Sequence, residues 1–458
     1  MGIRRDRQDL PEILTAARDA AVAFLEGLPR RPAARRPPAE HLAPNDLPER
    51  GVGALAAVDR FRSRFEEGLS GSAGPRYLGF VTGGSTPAAV AGDWLAAAYD
   101  QNLSNDGDSI ATAVELETLG MLRSLFGLGD AFHGAFVSGA TQANVVSLAA
   151  AREWAAQRQG VDLAADGLYG LPPIPVLGGT PHASVEKALS ILGMGRRIEI
   201  VPCLPGRRSV DPQALDRHLE SLDGAPAIVI ASAGEVNTGD FDDLAALGEI
   251  CRRRGAWLHV DGAFGLFAAC DPDRSHLLKG LESADSLATD GHKWLNVPYD
   301  SGLVFTRHLG LQERVFHAVA AYLGDGPDLL HRTPENSRRF RALPAWMTLV
   351  AYGRDGYREL IRQNCAQAEE LGRRLDASKH FDLLAPVRLN IVCFALARGG
   401  TAERDQLLSD LVDDGRAFLT PTVFNGRPGL RAAFSNATTT DTDVGTVARA
   451  LEELVQKV

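Results

Sequence analysis

Between about residue 130 and residue 305 short apolar runs alternate with helical stretches, and this alternation narrows the choice of fold more than any other feature. FVSGATQANVVSLAAAREWAA passes from a strand through a glycine-containing turn into a helix. AIVIASAGEVNTGDFDDLAALGEIC repeats the pattern, and AWLHVDG supplies a further buried strand that ends on Asp261. Strands that alternate with helices build an α/β fold with a mostly parallel sheet, and such sheets bind ligands at the carboxyl ends of their strands. In the second unit Asp240, Asp242 and Asp243 precede the helix, where negative charge is favoured by the helix dipole. A chain of 458 residues can bury a large core and is expected to form two or three structural units.

Two residues stand out within Ala256–Phe305. Asp261 lies at a strand end, and Lys293 sits between His292 and Trp294 in a turn that also holds Asn296, Pro298 and Gly302. Lysine is scarce: Lys187, Lys279, Lys293, Lys379 and Lys457 are the only ones among 48 basic residues. A solvated position would therefore usually carry arginine. Lys293 instead has apolar, aromatic neighbours, a setting that suits a Schiff-base nucleophile.

HVDGAFG followed by TDGHKWLNVPYDSG resembles the group II pyridoxal-phosphate-dependent amino-acid decarboxylases, the aromatic, glutamate and histidine type. The resemblance covers most of the chain. It implies fold type I: a mostly parallel central sheet with helices on both faces and a smaller α+β C-terminal domain. It also implies pyridoxal 5'-phosphate as cofactor. Lys293 would hold it as a Schiff base, while Asp261 would face the pyridine nitrogen and keep it protonated, with Ala263 and His292 beside it. PHASVEKALSILGMG matches the family's His-Ser-Ser-Val-Glu-Lys-Ala pattern, which puts His182 on the face of the ring. Taken alone, a histidine before a helix also reads as a cap.

The turn before the helix at Ala140 offers free backbone N–H groups for a phosphate, and Ala140 and Thr141 match the family's phosphate-holding residues. Phe80 and Thr82, ahead of a helix opened by Thr86 and Pro87, match its substrate pocket, although Phe80 alone would also read as core. Arg431 matches an arginine near the substrate carboxylate, and a strand-end salt bridge is the competing reading. RVFHAVAAYLGDG resembles the mobile loop of the decarboxylases, whose tyrosine, here Tyr322, would return a proton to Cα.

The resemblance divides the chain into an N-terminal helical arm and linker (1–75), a large cofactor domain (76–310), a mobile loop with its connecting helix (311–362) and a small domain (363–458). The arm places Ile13, Ala16, Ala20, Phe24 and Leu28 at helical spacing and precedes an Arg/Pro-rich extended linker, RRPAARRPPAEHLAP. In the family such an arm wraps a second subunit, so a homodimer with shared active sites is expected. The implied reaction is decarboxylation of an L-amino acid to the amine and carbon dioxide. Its rivals are another reaction on the same cofactor (transamination, oxidative deamination to an aldehyde, or C–C lysis) and a noncatalytic cofactor-binding scaffold. Phe80 hints at an aromatic substrate, whereas Arg431 would also serve an acidic one.

Two positions depart from the family pattern. Asp290-Gly291 replaces the usual Asn-Pro before His-Lys, and Glu235-Val236 replaces a threonine pair. A carboxylate at position 290 would repel a phosphate, so Asp290 is expected to turn away or to bond a backbone amide.

Composition narrows the remaining classes. A formal charge of −10 argues against nonspecific nucleic-acid binding, and no apolar run reaches the length of a membrane span. The charged N-terminus MGIRRDRQDL does not read as a secretory signal. Five cysteines without CxxC spacing point to reduced thiols in a cytoplasmic setting and to no metal site.

Overall fold

The structure is a computed structural model that describes residues 3–36, 46–103, 109–318 and 328–457. Its centre is a seven-stranded sheet of β1 (His133–Val137), β2 (Val176–Gly178), β3 (Glu199–Ile200), β4 (Ile228–Ser232), β5 (Trp257–Asp261), β6 (Ser286–Asp290) and β7 (Gly302–Thr306). The strand order is β1-β7-β6-β5-β4-β2-β3. Only β7 runs against its neighbours, antiparallel to both β1 and β6. β4 to β7 are buried at every residue, as a sheet covered on both faces requires. The registers pair Ser232 with Asp261 and Asp261 with Ala288, so β4, β5 and β6 end along one edge.

Side chains alternate across a strand with period two. Leu258 and Val260 of β5 therefore join the core on one face with Val229, Leu287 and Phe305. Trp257 faces the other way with Ile228 and Ile230. His259 and Asp261 share the Trp257 face, toward helix α5 (Ala140–Arg158), which packs on β5, β6 and β7.

A second sheet is antiparallel throughout: β8 (Phe381–Leu383), β9 (Ile391–Leu396), β10 (Thr420–Phe424) and β11 (Arg427–Ala433), in the order β10-β11-β9-β8. Asn425 (φ 49°) and Gly426 (φ 79°) join β10 to β11, a two-residue hairpin loop with both residues left-handed. Its core gathers Phe394, Leu430, Phe434 and Leu451 with helices Thr401–Asp414 and Asp441–Val455. The long helix Ala342–Asp376 contacts both regions and breaks at Gly353 (φ 59°, ψ −168°).

Near the N-terminus α1 (Leu10–Gly27) and α2 (Ala54–Phe65) have no buried residue in this chain. Leu10, Leu14, Val22, Leu25 and Phe61 are exposed, and an apolar cleft lined by Ala17, Ala20, Phe24, Val58 and Phe61 runs between the two helices. Helix α3 (Pro87–Tyr99) starts at Thr86, whose side chain accepts the Ala89 N–H at 3.1 Å. Helix α4 (Ala111–Leu125) carries the fully buried Glu115, which is paired with the equally buried Arg338 at 3.0 Å.

The acidic cluster ahead of helix Leu244–Arg254 differs from the sequence expectation. Only Asp243 caps that helix, by accepting the Ala246 N–H. Asp240 pairs with Arg207 and accepts the Arg208 amide, and Asp242 accepts the amides of Val210 and Ser232. Buried backbone donors outcompete a partial helix charge for a carboxylate.

Candidate active site

At the carboxyl edge of β4, β5 and β6 lies a cavity of about 360 Å³. Lys293 enters it from the turn after β6, and that turn is held on several sides. Asn296 adopts φ 56° and donates through Nδ2 to the carbonyls of Lys293, Trp294 and Ser435. Trp294 is fully buried and donates its indole N–H to Asn364 at 2.9 Å. A Cβ on Gly83 would fall 1.7 Å from the Lys293 carbonyl, so only glycine allows that backbone to pack on the lysine turn. Side-chain freedom is thereby concentrated at Nζ.

Asp261 and His182 are joined by one hydrogen-bond chain. The Trp257 indole N–H donates to Ser286 Oγ at 3.0 Å, and Ser286 Oγ lies 2.9 Å from His259 Nδ1. His259 Nε2 meets Asn144 Oδ1 at 2.9 Å. Asn144 Nδ2 donates to Asp261 Oδ2 (3.4 Å) and to Ser184 Oγ (3.1 Å), which is 2.8 Å from His182 Nδ1. Because Asn144 Nδ2 donates to the Asp261 carboxylate, Asn144 Oδ1 accepts from His259 Nε2–H, and Nδ1 of the neutral ring accepts from the Ser286 hydroxyl. Full burial pushes the His259 pKa down to about 4, in keeping with a neutral ring. His182 Nδ1 accepts the Ser184 N–H at 3.2 Å, and burial lowers its pKa too, so the neutral ring carries its proton on Nε2. His182 is thus both the N-cap of helix Ala183–Ile191 and part of the cavity lining. The Asp261 carboxylate is completed by the Ala263 N–H at 3.1 Å.

The opposite wall is the start of α5. Its first internal bond runs from the Ala143 N–H to the Gly139 carbonyl, so the amides of Ala140, Thr141 and Gln142 lie ahead of the helical ladder. Gly302 of β7 backs this turn so closely that a Cβ there would sit 2.3 Å from the Gly139 Cα. Asp290 bonds a backbone amide: its Oδ1 accepts the Ala140 N–H at 2.5 Å, while Oδ2 pairs with Lys293 Nζ at 2.9 Å. Glu235 also lines the cavity, but its oxygens are taken up within its own loop by Thr238 and Asn237.

Ala140, Thr141, His182, Asp261, Ala263, His292 and Lys293 therefore share one cavity. His292 stacks on Tyr299 with ring centroids 4.4 Å apart. Phe80, Thr82 and Arg431 are not on its lining. Phe80 is 61% exposed at φ 58° and packs on Phe418, so it does not belong to the core of this chain. Thr82 is buried with its hydroxyl 3.4 Å from that of Tyr299. Arg431 is buried behind Glu235 and Val236; its guanidinium donates to Thr420 Oγ1 and the Val236 carbonyl, and desolvation lowers its pKa to about 10. Tyr322 lies outside the described residues. Sequence reasoning placed Asn144 only near the helix start and missed its ties to Asp261 and His259, as well as Ser184 and His259 themselves; the one available signal was the period-two spacing that puts His259 on the face of Asp261.

The lining fits pyridoxal 5'-phosphate: one primary amine, a buried carboxylate, a neutral imidazole and a row of helix amides. Comparison with known proteins agrees. The sequence model of the pyridoxal-dependent decarboxylase conserved domain matches residues 38–397. The aromatic-L-amino-acid decarboxylase of Bacillus atrophaeus is 29% identical over 409 residues, spanning 84% of this chain and 82% of the relative. The L-2,4-diaminobutyrate decarboxylase of Rhizobium meliloti is 29% identical over 429 residues, spanning 90% and 84%. The crystal structure of Oryza sativa TDC with PLP and tryptamine superposes with a TM-score of 0.91 over 98% of each chain at 24% identity, a likeness of fold. With the family match covering most of its length and the site built for the cofactor, this chain belongs to the pyridoxal-dependent decarboxylases and is a pyridoxal-phosphate enzyme that decarboxylates an amino acid.

Proposed function

We propose that the substrate is an L-amino acid with an aromatic side chain, and that the enzyme works as a cytoplasmic homodimer. The observation that carries the site assignment is the meeting of Lys293, Asp261 and His182 in one cavity at the carboxyl edge of the sheet. When bound, pyridoxal 5'-phosphate supplies a ring that takes up the electron pair left as carbon dioxide departs. Lys293 would hold the cofactor through its Nζ amine. Asp261, fixed by Asn144 and Ala263, presents negative charge to a protonated ring nitrogen. His182 offers an Nε2–H donor and a flat face, which together orient the substrate carboxylate. Ala140 and Thr141 seat the phosphate through their amides. Tyr322 is assigned the return of a proton to Cα, on the strength of the family resemblance of its loop.

An aromatic substrate is supported by the Tyr299 ring, whose centroid lies 4.4 Å from that of the lining residue His292, and by the match of Phe80 to the family's substrate pocket. A basic side chain would need an unengaged carboxylate. Glu235, Asp261 and Asp290 all have partners already. The homodimer is supported by the exposed apolar faces of α1 and α2, and the cytoplasmic setting by five free cysteines. Among the described residues no helix is long and apolar enough to cross a membrane. The four-part division at residues 75, 310 and 362 stands as part of the same proposal.

The test is a panel of aromatic, basic and acidic L-amino acids followed for carbon dioxide, amine and aldehyde, with borohydride reduction and peptide mapping of the holoenzyme. Carbon dioxide and amine from an aromatic member, with the pyridoxyl group on Lys293, are expected. Label on Lys187 or Lys279 would refute the site, aldehyde in place of amine would refute the amine-forming outcome, and turnover of only charged members would refute the substrate class.

A further inference from the structure

Asp290 is 3% exposed, and it replaces a neutral residue of the family pattern at the place where the cofactor's most highly charged group is to be bound. Both its oxygens are engaged by groups that the cofactor also needs: Oδ1 by the first amide of α5 and Oδ2 by Lys293 Nζ. His292 Nε2 lies 3.6 Å from Oδ1, and burial lowers that ring's pKa, so it brings no compensating charge. Lys293 is the only lysine or arginine on the described lining, against three carboxylates, Glu235, Asp261 and Asp290. Arg431 stands behind this wall with its donors committed to Thr420 and Val236.

We propose that Asp290 is an internal anion that competes with the cofactor phosphate for the mouth of α5, and so makes this enzyme bind pyridoxal phosphate less tightly than its own donor set would allow. Two anions cannot both accept the single Ala140 N–H, and a carboxylate held beside a phosphate raises its energy in a cavity of low dielectric. On loading, Asp290 either gives up the amide and its lysine or stays and repels the phosphate. Loss of the lysine pair costs the same for a cofactor with or without a phosphate, whereas loss of the amide, or repulsion, acts through the phosphate alone. In the cofactor-free protein the same carboxylate caps α5 and holds Lys293 in the cavity, so the empty site is a satisfied state and not an unpaired one. The cofactor is therefore exchangeable, with occupancy that follows its concentration.

This inference rests on the reading that Ala140 and Thr141 seat the phosphate and that Lys293 carries the ring. The experiment uses full-length protein stripped of cofactor, titrated with pyridoxal 5'-phosphate and, separately, with pyridoxal, which has the ring and aldehyde but no phosphate. Absorbance of the bound cofactor is the readout. Asp290→Asn should raise the preference for pyridoxal phosphate over pyridoxal at least tenfold, about 1.4 kcal/mol. Asp290→Ala, which supplies no new amide, should move the preference in the same direction. Inorganic phosphate should also compete better against pyridoxal phosphate in both variants than in the natural protein. An unchanged preference, or one shifted toward pyridoxal, would overturn the proposal. Borohydride label on a residue other than Lys293 would instead overturn the site reading beneath it.

Discussion

His259 shows how a residue off the cavity lining can position two that line it. Its ring holds Asn144, and Asn144 in turn holds Asp261 and, through Ser184, His182. The folded state keeps this histidine neutral down to about pH 4, whereas an unfolded chain protonates it near its ordinary 6.5. Between those values the unfolded chain binds more protons, so stability rises with pH through the window and is lost as pH falls from about 6.5 to about 4. The contribution is on the order of 3 kcal/mol. Asp242, pushed up to about 6 by burial, acts with the opposite sign over part of the same range, so the natural protein alone would blur the effect. Comparing unfolding free energies of the natural protein and His259→Gln from pH 4 to 7 removes the shared Asp242 contribution. The difference is expected to grow with pH and level off above about 6.5; a flat difference would show that His259 is not held neutral. Lys293, Asp261 and His182 could be picked out in the sequence because each sits in a short local stretch that resembles the family's pattern, and Lys293 also because lysine is scarce. The Asn144–His259 bond could not, because it joins residues 115 positions apart and depends on which face of α5 meets β5.

At the scale of elements, the site depends on how closely β7 approaches the turn ahead of α5. Gly302 and Gly139 touch backbone to backbone, and any Cβ at 302 would drive the Ser138–Ala140 turn away from Asp290 and the lysine turn. Gly302→Ala is expected to cost about 1–3 kcal/mol in stability through overpacking. It should weaken cofactor binding at least tenfold while far-ultraviolet circular dichroism stays near normal. Normal cofactor affinity in that variant would mean that the turn is set elsewhere. The strand and helix alternation was legible because apolar runs and glycine turns are local, and the expected mostly parallel sheet is present with β7 as its antiparallel member. The roles of Asp240 and Asp242 were not legible. Their position before a helix suggested helix-end charges, yet the amides of Arg208, Val210 and Ser232 took them up instead. His182 resolves differently, since its two competing readings, cap and cavity residue, are both present in one side chain.

At the scale of the molecule, the described chain sets one cavity at the carboxyl edge of its larger sheet and leaves an apolar surface at its N-terminal end. Glu115 and Arg338 tie α4 to the loop ahead of the long helix without solvent contact, a pair whose loss on one side leaves a buried charge. Helix α1 of the arm has no buried residue to anchor it in this way. A helix of 18 residues whose side chains are all at least partly open to solvent gains little from this chain's own core. In the proposed homodimer a second copy covers Leu10, Leu14, Val22 and Leu25, and by mass action its grip varies with how much protein is present. The melting temperature is accordingly expected to climb with each tenfold increase in enzyme concentration, and Leu14→Glu should flatten that climb; scanning calorimetry at several dilutions would detect it. If the proposed homodimer is the working form, the same dependence ties the catalyst to its own abundance: a cell that makes little of this enzyme would hold a smaller working fraction of it, so output would grow faster than expression.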